Sequence, residues 1–224
     1  MSLQLLYHPL ASYCWKVLIA LYELEAPFEA KVVDLSDSRQ GEELKSFWPV
    51  GKFPVLRDFG RDQVIPESSI IVEYLDQHYA RARPLIPRDP AAALQTRLWE
   101  RFFDCYIHTP LQKIVGNSLR AEGQHDLHGV TEARALLHTA YAMLDKHLGA
   151  TGWAAGPEFG MADCAAVPAL FYAGTLESFV ERYPRVNAYF ERLAARASVV
   201  RTIKEAQPHF PLYPYRASIP ARFL

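Results

Sequence analysis

Two segments decide the fold: Gly51-Lys52-Phe53-Pro54-Val55-Leu56 and, after a short interval, Ile65-Pro66-Glu67-Ser68-Ser69-Ile70-Ile71-Val72-Glu73-Tyr74-Leu75. In the first, a proline opens an apolar strand, where it cannot donate a ladder hydrogen bond and marks an edge or a special turn. In the second, a carboxylate and hydroxyls precede apolar residues at helical spacing. The two segments predict a hairpin, and then a helix that begins with a group of polar side chains.

Upstream of this hairpin, short strand-like and helix-like patterns alternate. We read them as a strand, an amphipathic helix, a second strand and a polar helix or loop, at residues 3–7, 14–24, 28–33 and 36–47. The order βαβ-α-ββα predicts a small mixed-sheet domain over residues 1–80.

Downstream of the hairpin and its helix, the pattern changes. Residues 81–90 contain Pro84, Pro87 and Pro90 among arginines, which indicates a linker. Residues 91–206 carry helical patterns almost throughout, with a break or bend expected at Pro110. Residues 207–224 interleave prolines with aromatic residues, which indicates an extended tail packed on the surface.

Composition narrows the classes of function. The chain has 224 residues, a formal net charge of −1 and 22% charged residues, so it is not basic enough for nucleic acid to be its main partner. Cys14, Cys105 and Cys164 form no metal-binding or disulfide pattern. No signal peptide or membrane span is evident. His125 and His128 stand in a polar stretch that indicates a solvated loop, so we expect no metal and a cytoplasmic protein.

The segment Ala11-Ser12-Tyr13-Cys14 is the first candidate for chemistry. It follows a strand and opens a helix, where unpaired N–H groups and the positive end of the helix dipole stabilise an anion, particularly a thiolate. The alternative interpretation is that Ser12 only caps the helix.

Two further features lie at the fold-deciding segments. A cis peptide bond before Pro54 would turn the Phe53 carbonyl and N–H outward toward an extended peptide ligand. At the start of the helix that follows the hairpin, Glu67 could bind the ammonium of an α-amino acid, while Ser68 and backbone N–H groups bind its carboxylate. The alternative for this turn is again a simple helix cap.

Taken in order, these features resemble the cytosolic glutathione S-transferase family, with a bacterial, zeta- or theta-like catalytic turn. The resemblance spans essentially the whole chain, and Gly156-Pro157-Glu158-Phe159-Gly160-Met161-Ala162-Asp163 carries it into the second half. It implies an α/β thioredoxin-like N-terminal domain plus an all-α C-terminal helical domain. It also implies a homodimer, with glutathione as co-substrate and a small electrophile as partner.

The resemblance also implies roles for individual residues. Pro54 would be the cis-proline and Phe53 would pair with the cysteinyl main chain of glutathione, while Glu67 and Ser68 hold its γ-glutamyl end. The glycyl carboxylate would bind to a cationic or amide side chain, and the candidates are Lys52, Arg39 and Gln40. Asp163 would close a helix-capping box, which is incomplete because Gly160 replaces the usual Ser or Thr.

The chain departs from the family pattern at the catalytic turn. The usual Ser or Cys position falls on Ala11, so a dithiol mechanism is not expected, and Cys14 matches only the second cysteine of a Cys-x-x-Cys pair. Ser12 is our choice for activating the thiol, with Tyr7 and Tyr13 as alternatives.

The apolar substrate is expected in a cleft between the domains. Its walls would come from Leu10, Tyr13, Phe103, Tyr106 and Ile107, and Asp104 resembles a residue that reaches the partner subunit's glutathione. The expected activity is conjugation of glutathione to an electrophilic, largely apolar molecule. The alternatives are a glutathione-binding or protein-interaction module without catalysis, and a glutathione-dependent isomerase or lyase.

Overall fold

Short apolar segments with strand spacing build one four-stranded sheet. The computed structural model describes residues 2–80, 83–148 and 152–224. The strands are β1 (Leu3–Tyr7), β2 (Phe28–Val32), β3 (Val55–Asp58) and β4 (Gln63–Pro66), in the order β2-β1-β3-β4. β1 and β2 are parallel because a helix joins them, whereas the other two pairs are antiparallel.

Three helices accompany the sheet in the first unit, which ends at Ile86. They are α1 (Ser12–Glu23), α2 (Ser38–Phe47) and α3 (Ser68–Tyr79), so the expected βαβ-α-ββα order is confirmed. In α1, every residue from Cys14 to Leu21 is buried, including Lys16. We expected an amphipathic helix with one exposed face, but this part of α1 is buried on all sides.

A buried carboxylate fixes the turn between β3 and β4. Asp58 is 1% exposed and accepts hydrogen bonds from the N–H groups of Gly60 and Arg61, at 2.9 and 3.2 Å, and from the hydroxyls of Tyr74 and Tyr79. Burial opposes ionisation, but these hydrogen bonds outweigh it and hold the pKa of Asp58 below its ordinary value. The hairpin and α3 are thus joined through one ionised side chain.

Near the other end of the sheet, Trp48 packs against an apolar cluster. Its side chain lies with Phe47 and Phe53 against this cluster, which is formed by Leu6, Val33, Leu44 and Val55. Its indole N–H is buried and has no hydrogen-bond acceptor among the described residues.

Within the described residues, the second unit, from Pro87 onward, contains helices and one isolated β-bridge, between Trp153 and Gly156, but no sheet. Its helices are α4 (Pro90–Phe102), α5 (Thr109–Ser118), α6 (Leu127–His147), α7 (Met161–Leu176), α8 (Pro184–Ala194) and α9 (Ala197–Ala206). No helix in the described ranges is long and apolar enough to cross a bilayer. Arg81 and Ala82, in the expected linker, lie outside the described residues.

The expected break at Pro110 begins upstream of the proline. Residues Phe103–His108 form a π-helical segment, and Pro110 lies in the first turn of α5. A proline lacks the N–H for an i→i−4 bond and its ring crowds the preceding turn, so the wider π turn accommodates it. The same segment holds three of the candidate substrate residues.

The α7 start confirms the role expected of Asp163. Its carboxylate accepts the N–H of Gly160 at 2.9 Å and that of Ala154 at 2.9 Å. Burial raises the pKa of Asp163 to about 6, although these bonds and one from the Tyr189 hydroxyl act in the opposite direction. Gly160 has no side chain to complete the capping box, so only its carboxylate half forms.

The tail differs from the extended strip that the prolines suggest. It forms three short 3-10 helices, Gln207–Leu212, Arg216–Ser218 and Ala221–Phe223. Phe210, Tyr213 and Phe223 are buried, because the tight turns bring aromatic residues repeatedly onto the unit's core.

Candidate functional site

Three turns leave the sheet at the same end. Leu6 on β1 pairs with Val55 on β3, and Val55 pairs on its other side with Pro66 on β4. Antiparallel strands keep this register along their length. The residues just after β1, just before β3 and just after β4 therefore lie next to one another. Neighbouring strands are about 4.8 Å apart, which places the turns after β1 and β4 about 10 Å from each other.

The turn after β1 leads into the start of α1. Ala11 has extended backbone angles and is the N-cap, while Ser12 is the first helical residue. The Ala11 carbonyl accepts the N–H groups of Cys14 and Trp15, at 2.8 and 3.2 Å. Within the described residues, no hydrogen bond engages the Ser12 N–H or hydroxyl. The interpretation of Ser12 as the helix cap is therefore wrong, because Ala11 holds that position, and both Ser12 donors are without a partner among the described residues.

The other candidate groups near this turn differ in accessibility. Cys14 is fully buried, and burial raises the pKa of its thiol to about 12, so the thiol stays protonated and is not a nucleophile at neutral pH. Tyr7 is 7% exposed at the end of β1, whereas Tyr13 and Leu10 are half-buried on the turn itself.

The turn before β3 presents an unpaired stretch of main chain. The Phe53–Pro54 peptide bond is cis, as the family resemblance implies. Neither the N–H nor the carbonyl of Phe53 has a hydrogen-bond partner among the described residues. Both groups are thus open to an extended strand of another molecule.

His8 is a site residue that the sequence analysis missed. Its ring stacks on that of Phe53, with centroids 6.1 Å apart and planes inclined by 22°. Its Nδ1 accepts the N–H of Leu10 at 3.2 Å. The position of a histidine directly after an apolar strand was the available signal, but a single histidine in an aperiodic turn predicts no contact by itself.

The turn after β4 is strained at Glu67. This residue has φ of 68°, in a region that few residues other than glycine adopt, and such strain often accompanies a functional turn. The Glu67 carboxylate is exposed, caps nothing, and has no partner among the described residues. Ser68 is 6% exposed, and no described residue accepts its N–H. Glu67 thus holds the N-cap position of α3, but its side chain does not form the hydrogen bond that a side-chain cap requires.

The three candidates for the glycyl carboxylate are not equivalent. Gln40 is engaged within its own loop, because its carbonyl accepts the Asp34 N–H at 2.9 Å and its amide donates to Asp37 at 3.1 Å. Lys52 and Arg39 are exposed, and neither side chain pairs with a described residue. The structure therefore leaves the two cations available and Gln40 occupied.

The remaining candidates lie in the second unit. Phe103 and Ile107 are fully buried, whereas Tyr106 is 52% exposed, so only Tyr106 of the three presents surface to a ligand. Asp104 is 5% exposed, and its carboxylate accepts a hydrogen bond from Arg101 within the same chain. Among the residues described, no cluster of three histidines, cysteines or carboxylates could hold a metal ion.

Comparison with known proteins covers both units. A family model described as "Glutathione S-transferase, N-terminal domain" matches residues 5–84, and one described as "Glutathione S-transferase, C-terminal domain" matches residues 117–192. Together they span well over half of the chain.

Individual proteins agree with the family models. "Glutathione S-transferase hmp2" of Hypomyces subiculosus is 30% identical over 205 residues, covering 86% of this chain and 94% of that protein. A "Probable maleylacetoacetate isomerase" of Caenorhabditis elegans is 29% identical, covering 88% and 91%. The solved structure of a Methylobacillus flagellatus glutathione S-transferase with GSH bound is 27% identical and aligns with a TM-score of 0.82, covering 90% of this chain and 98% of that one.

Proposed function

Because the chain belongs to the glutathione S-transferase family, we propose that it binds reduced glutathione across the three converging turns and releases the thiol proton to solvent. The thiolate then attacks a carbon of a small electrophile, and the C–S bond forms as the electrophile's leaving group departs. The observation that carries this proposal is the convergence of unpaired polar groups at one end of the sheet. The relative from M. flagellatus, crystallised with GSH bound, supports the choice of ligand.

Length favours a tripeptide as the ligand. The turns after β1 and β4 lie about 10 Å apart, two strand spacings. Two extended residues span about 7 Å, and the side chain of the second one adds the remaining reach. An extended tripeptide can therefore place its first residue at Glu67 and Ser68 and its central residue beside Phe53, with the side chain of that central residue directed toward the start of α1.

The γ-glutamyl end has complementary charges on the turn after β4. Its ammonium pairs with the exposed carboxylate of Glu67. Its carboxylate accepts the hydroxyl and N–H of Ser68 at the positive end of the α3 dipole. The strained backbone at Glu67 holds the carboxylate next to the helix start, where one head group can reach both.

The cysteinyl residue pairs with the Phe53 main chain. An N–H and a carbonyl on one residue match the two groups of an extended partner residue. This pairing fixes the direction of the tripeptide. Lys52, with Arg39, then neutralises the glycyl carboxylate, while Gln40 keeps its loop in place.

The thiol lies at the start of α1 in this arrangement. The Ser12 hydroxyl donates to the sulfur, and the unpaired Ser12 N–H and the helix dipole add positive potential. A free thiol has a pKa of about 8.5. Lowering it by about two units requires about 2.7 kcal/mol, which one charge-assisted hydrogen bond and a helix N-terminus together supply.

The electrophile is proposed to be largely apolar. Leu10 and Tyr13 are half-buried side chains on the turn that carries Ser12, so the start of α1 offers apolar surface beside the sulfur. The proposal includes a cytoplasmic homodimer, and Cys14, Cys105 and Cys164 form no disulfide with one another, as expected in a reducing compartment.

A glutathione-dependent isomerase is the second candidate. The observation that favours it is the similarity to a probable maleylacetoacetate isomerase. Both activities need the same glutathione site and the same ionised thiol, but an isomerase returns glutathione unchanged, whereas a transferase consumes it.

Kinetics with 1-chloro-2,4-dinitrobenzene and calorimetry with reduced glutathione test the proposal. We expect saturable binding, turnover, and a KM for glutathione raised at least about tenfold in Glu67→Gln, since a charge-assisted bond is lost. Glu42→Gln, in an exposed ion pair with Lys45, is the matched control. Binding without turnover of any electrophile would favour the non-catalytic module, and absence of binding would overturn the proposal.

A further inference from the structure

Lys16 is a charged side chain with no solvent exposure. It lies on α1, where every neighbour from Cys14 to Leu21 is also buried. Its ammonium group donates a hydrogen bond to the Ser69 hydroxyl on α3, with Nζ and Oγ 3.0 Å apart. Burying an ammonium group costs several kcal/mol before compensation, so an apolar residue would be the simpler choice for packing alone.

The position of this contact relates it to both parts of the proposed glutathione site. Ser12 and Lys16 are four residues apart on α1, so they lie on the same helix face, one turn from each other. Ser69 directly follows Ser68, the proposed ligand of the γ-glutamyl carboxylate. The Lys16–Ser69 bond thus joins α1, whose N-terminus is proposed to bind the sulfur, to α3, whose N-terminus is proposed to bind the head group.

We propose that Lys16 is a positioning residue that fixes the start of α1 relative to the start of α3. This inference rests on the proposed function, because both helix starts bind the same glutathione molecule. The Lys16 side chain touches neither the tripeptide nor the electrophile. It acts through Ser69, by holding the thiol-binding and head-group-binding turns at the separation between the γ-glutamyl head group and the sulfur of extended glutathione.

Geometry explains why such a residue affects the rate. A ligand bound at two points reacts fast only if both binding points are compatible with the same reactive geometry. A displacement of the reacting atoms by about 1 Å can reduce the rate by about a hundredfold. The sheet fixes the strands, but the starts of α1 and α3 lie beyond the last paired residues of their preceding strands, Tyr7 and Pro66. A hydrogen bond between the helices supplies the constraint that the ladder no longer provides.

A comparison of two thiol substrates distinguishes positioning from general stability. Glutathione binds both turns, whereas cysteinylglycine lacks the γ-glutamyl head group and uses only the thiol-binding part. A lost link between the turns therefore lowers kcat/KM for glutathione and leaves that for cysteinylglycine nearly unchanged. A general loss of folding would lower both in the same proportion.

The variants are Ser69→Ala, which removes the acceptor, Ser69→Thr, which keeps a hydroxyl, and Lys16→Met, which keeps most of the volume. Lys31→Met is the control, because Lys31 is a half-buried lysine of the same unit paired with Glu43. Each is assayed with 1-chloro-2,4-dinitrobenzene and either glutathione or cysteinylglycine, and its melting temperature is recorded. If Lys16→Met does not fold, the Ser69 variants decide.

We expect Ser69→Ala to lose about tenfold in kcat/KM for glutathione, as for one charged hydrogen bond, and less than about twofold for cysteinylglycine. Ser69→Thr should recover most of the loss, and Lys31→Met should match the wild type. Equal losses for both thiols, or no loss for either, would overturn the positioning role while leaving the proposed function intact. A wild-type protein that does not bind glutathione would overturn both.

Discussion

Replacing Ser12 by alanine isolates the group proposed to activate the thiol. The change leaves the helix cap intact, because Ala11 is the N-cap and the Ser12 side chain bonds to no described residue. The free energy of unfolding should therefore change by less than about 0.5 kcal/mol. Any effect on activity then comes from the sulfur and not from the fold.

The magnitude follows from the hydrogen bond that is lost. A hydroxyl that donates to a charged group contributes about 1.5–3 kcal/mol, which corresponds to about one to two pKa units. The α1 dipole and the Ser12 N–H remain, and a helix end stabilises an anion by about 0.3–1 kcal/mol. In Ser12→Ala, the thiol of bound glutathione should thus have a pKa at least about one unit higher, and the remaining dipole and N–H should keep it slightly below that of the free thiol.

Ultraviolet titration of the thiolate in the glutathione complex measures this pKa directly, and rates with 1-chloro-2,4-dinitrobenzene from pH 6 to 9 provide an independent check. We expect a loss of about tenfold or more at pH 6.5 that shrinks as the pH rises, because the thiol of the variant ionises at higher pH. Ser46→Ala, at an exposed serine of α2 that bonds to the Glu43 carbonyl, is the control. An unchanged thiol pKa would refute the role of Ser12 and direct attention to Tyr13.

Three predictions concern the fold. Asp58→Asn should lower the free energy of unfolding by about 2 kcal/mol at pH 7. Since the folded-state pKa of Asp58 is depressed, its contribution is present above its ordinary pKa and is lost as the pH falls through the lower folded-state pKa. The urea midpoints of variant and wild type should therefore move closer together as the pH falls below about 3.9, the ordinary pKa of an aspartate, and a constant gap would contradict this. Asp163→Ala leaves the N–H groups of Ala154 and Gly160 unpaired and should cost about 3 kcal/mol or more, seen as a lower melting temperature; an unchanged one would show that water replaces the carboxylate. Trp48→Phe removes a buried indole N–H that has no described acceptor and should change the free energy of unfolding by less than about 1 kcal/mol; a larger loss would reveal a hidden partner.

The sequence was sufficient for most of the fold because periodicity is local. The first strand and the third helix begin and end where their patterns predict, at Leu3–Tyr7 and Ser68–Tyr79. The tail was misjudged because prolines exclude regular helices but permit 3-10 turns. The full burial of α1 was also missed, since it depends on what packs around the helix and not on its own period.

The candidate site was predictable in part. Glu67 and Ser68 stand out through a motif, but their unpaired state depends on strain at one backbone angle, which no side-chain pattern encodes. The sequence also permits Ser12 to be the helix cap, and only the position of the N-cap at Ala11 excludes this role. Lys16 and His8 were missed because their partners, Ser69 and Phe53, are distant in sequence.

A crystal structure of the complex with reduced glutathione tests the central claim most directly. The account predicts an extended tripeptide whose sulfur lies within about 3.5 Å of the Ser12 hydroxyl oxygen, as a hydrogen bond to sulfur requires. The head-group carboxylate should lie at the Ser68 N–H and the cysteinyl main chain should pair with Phe53. A tripeptide bound in the reverse direction, or away from this end of the sheet, would contradict it.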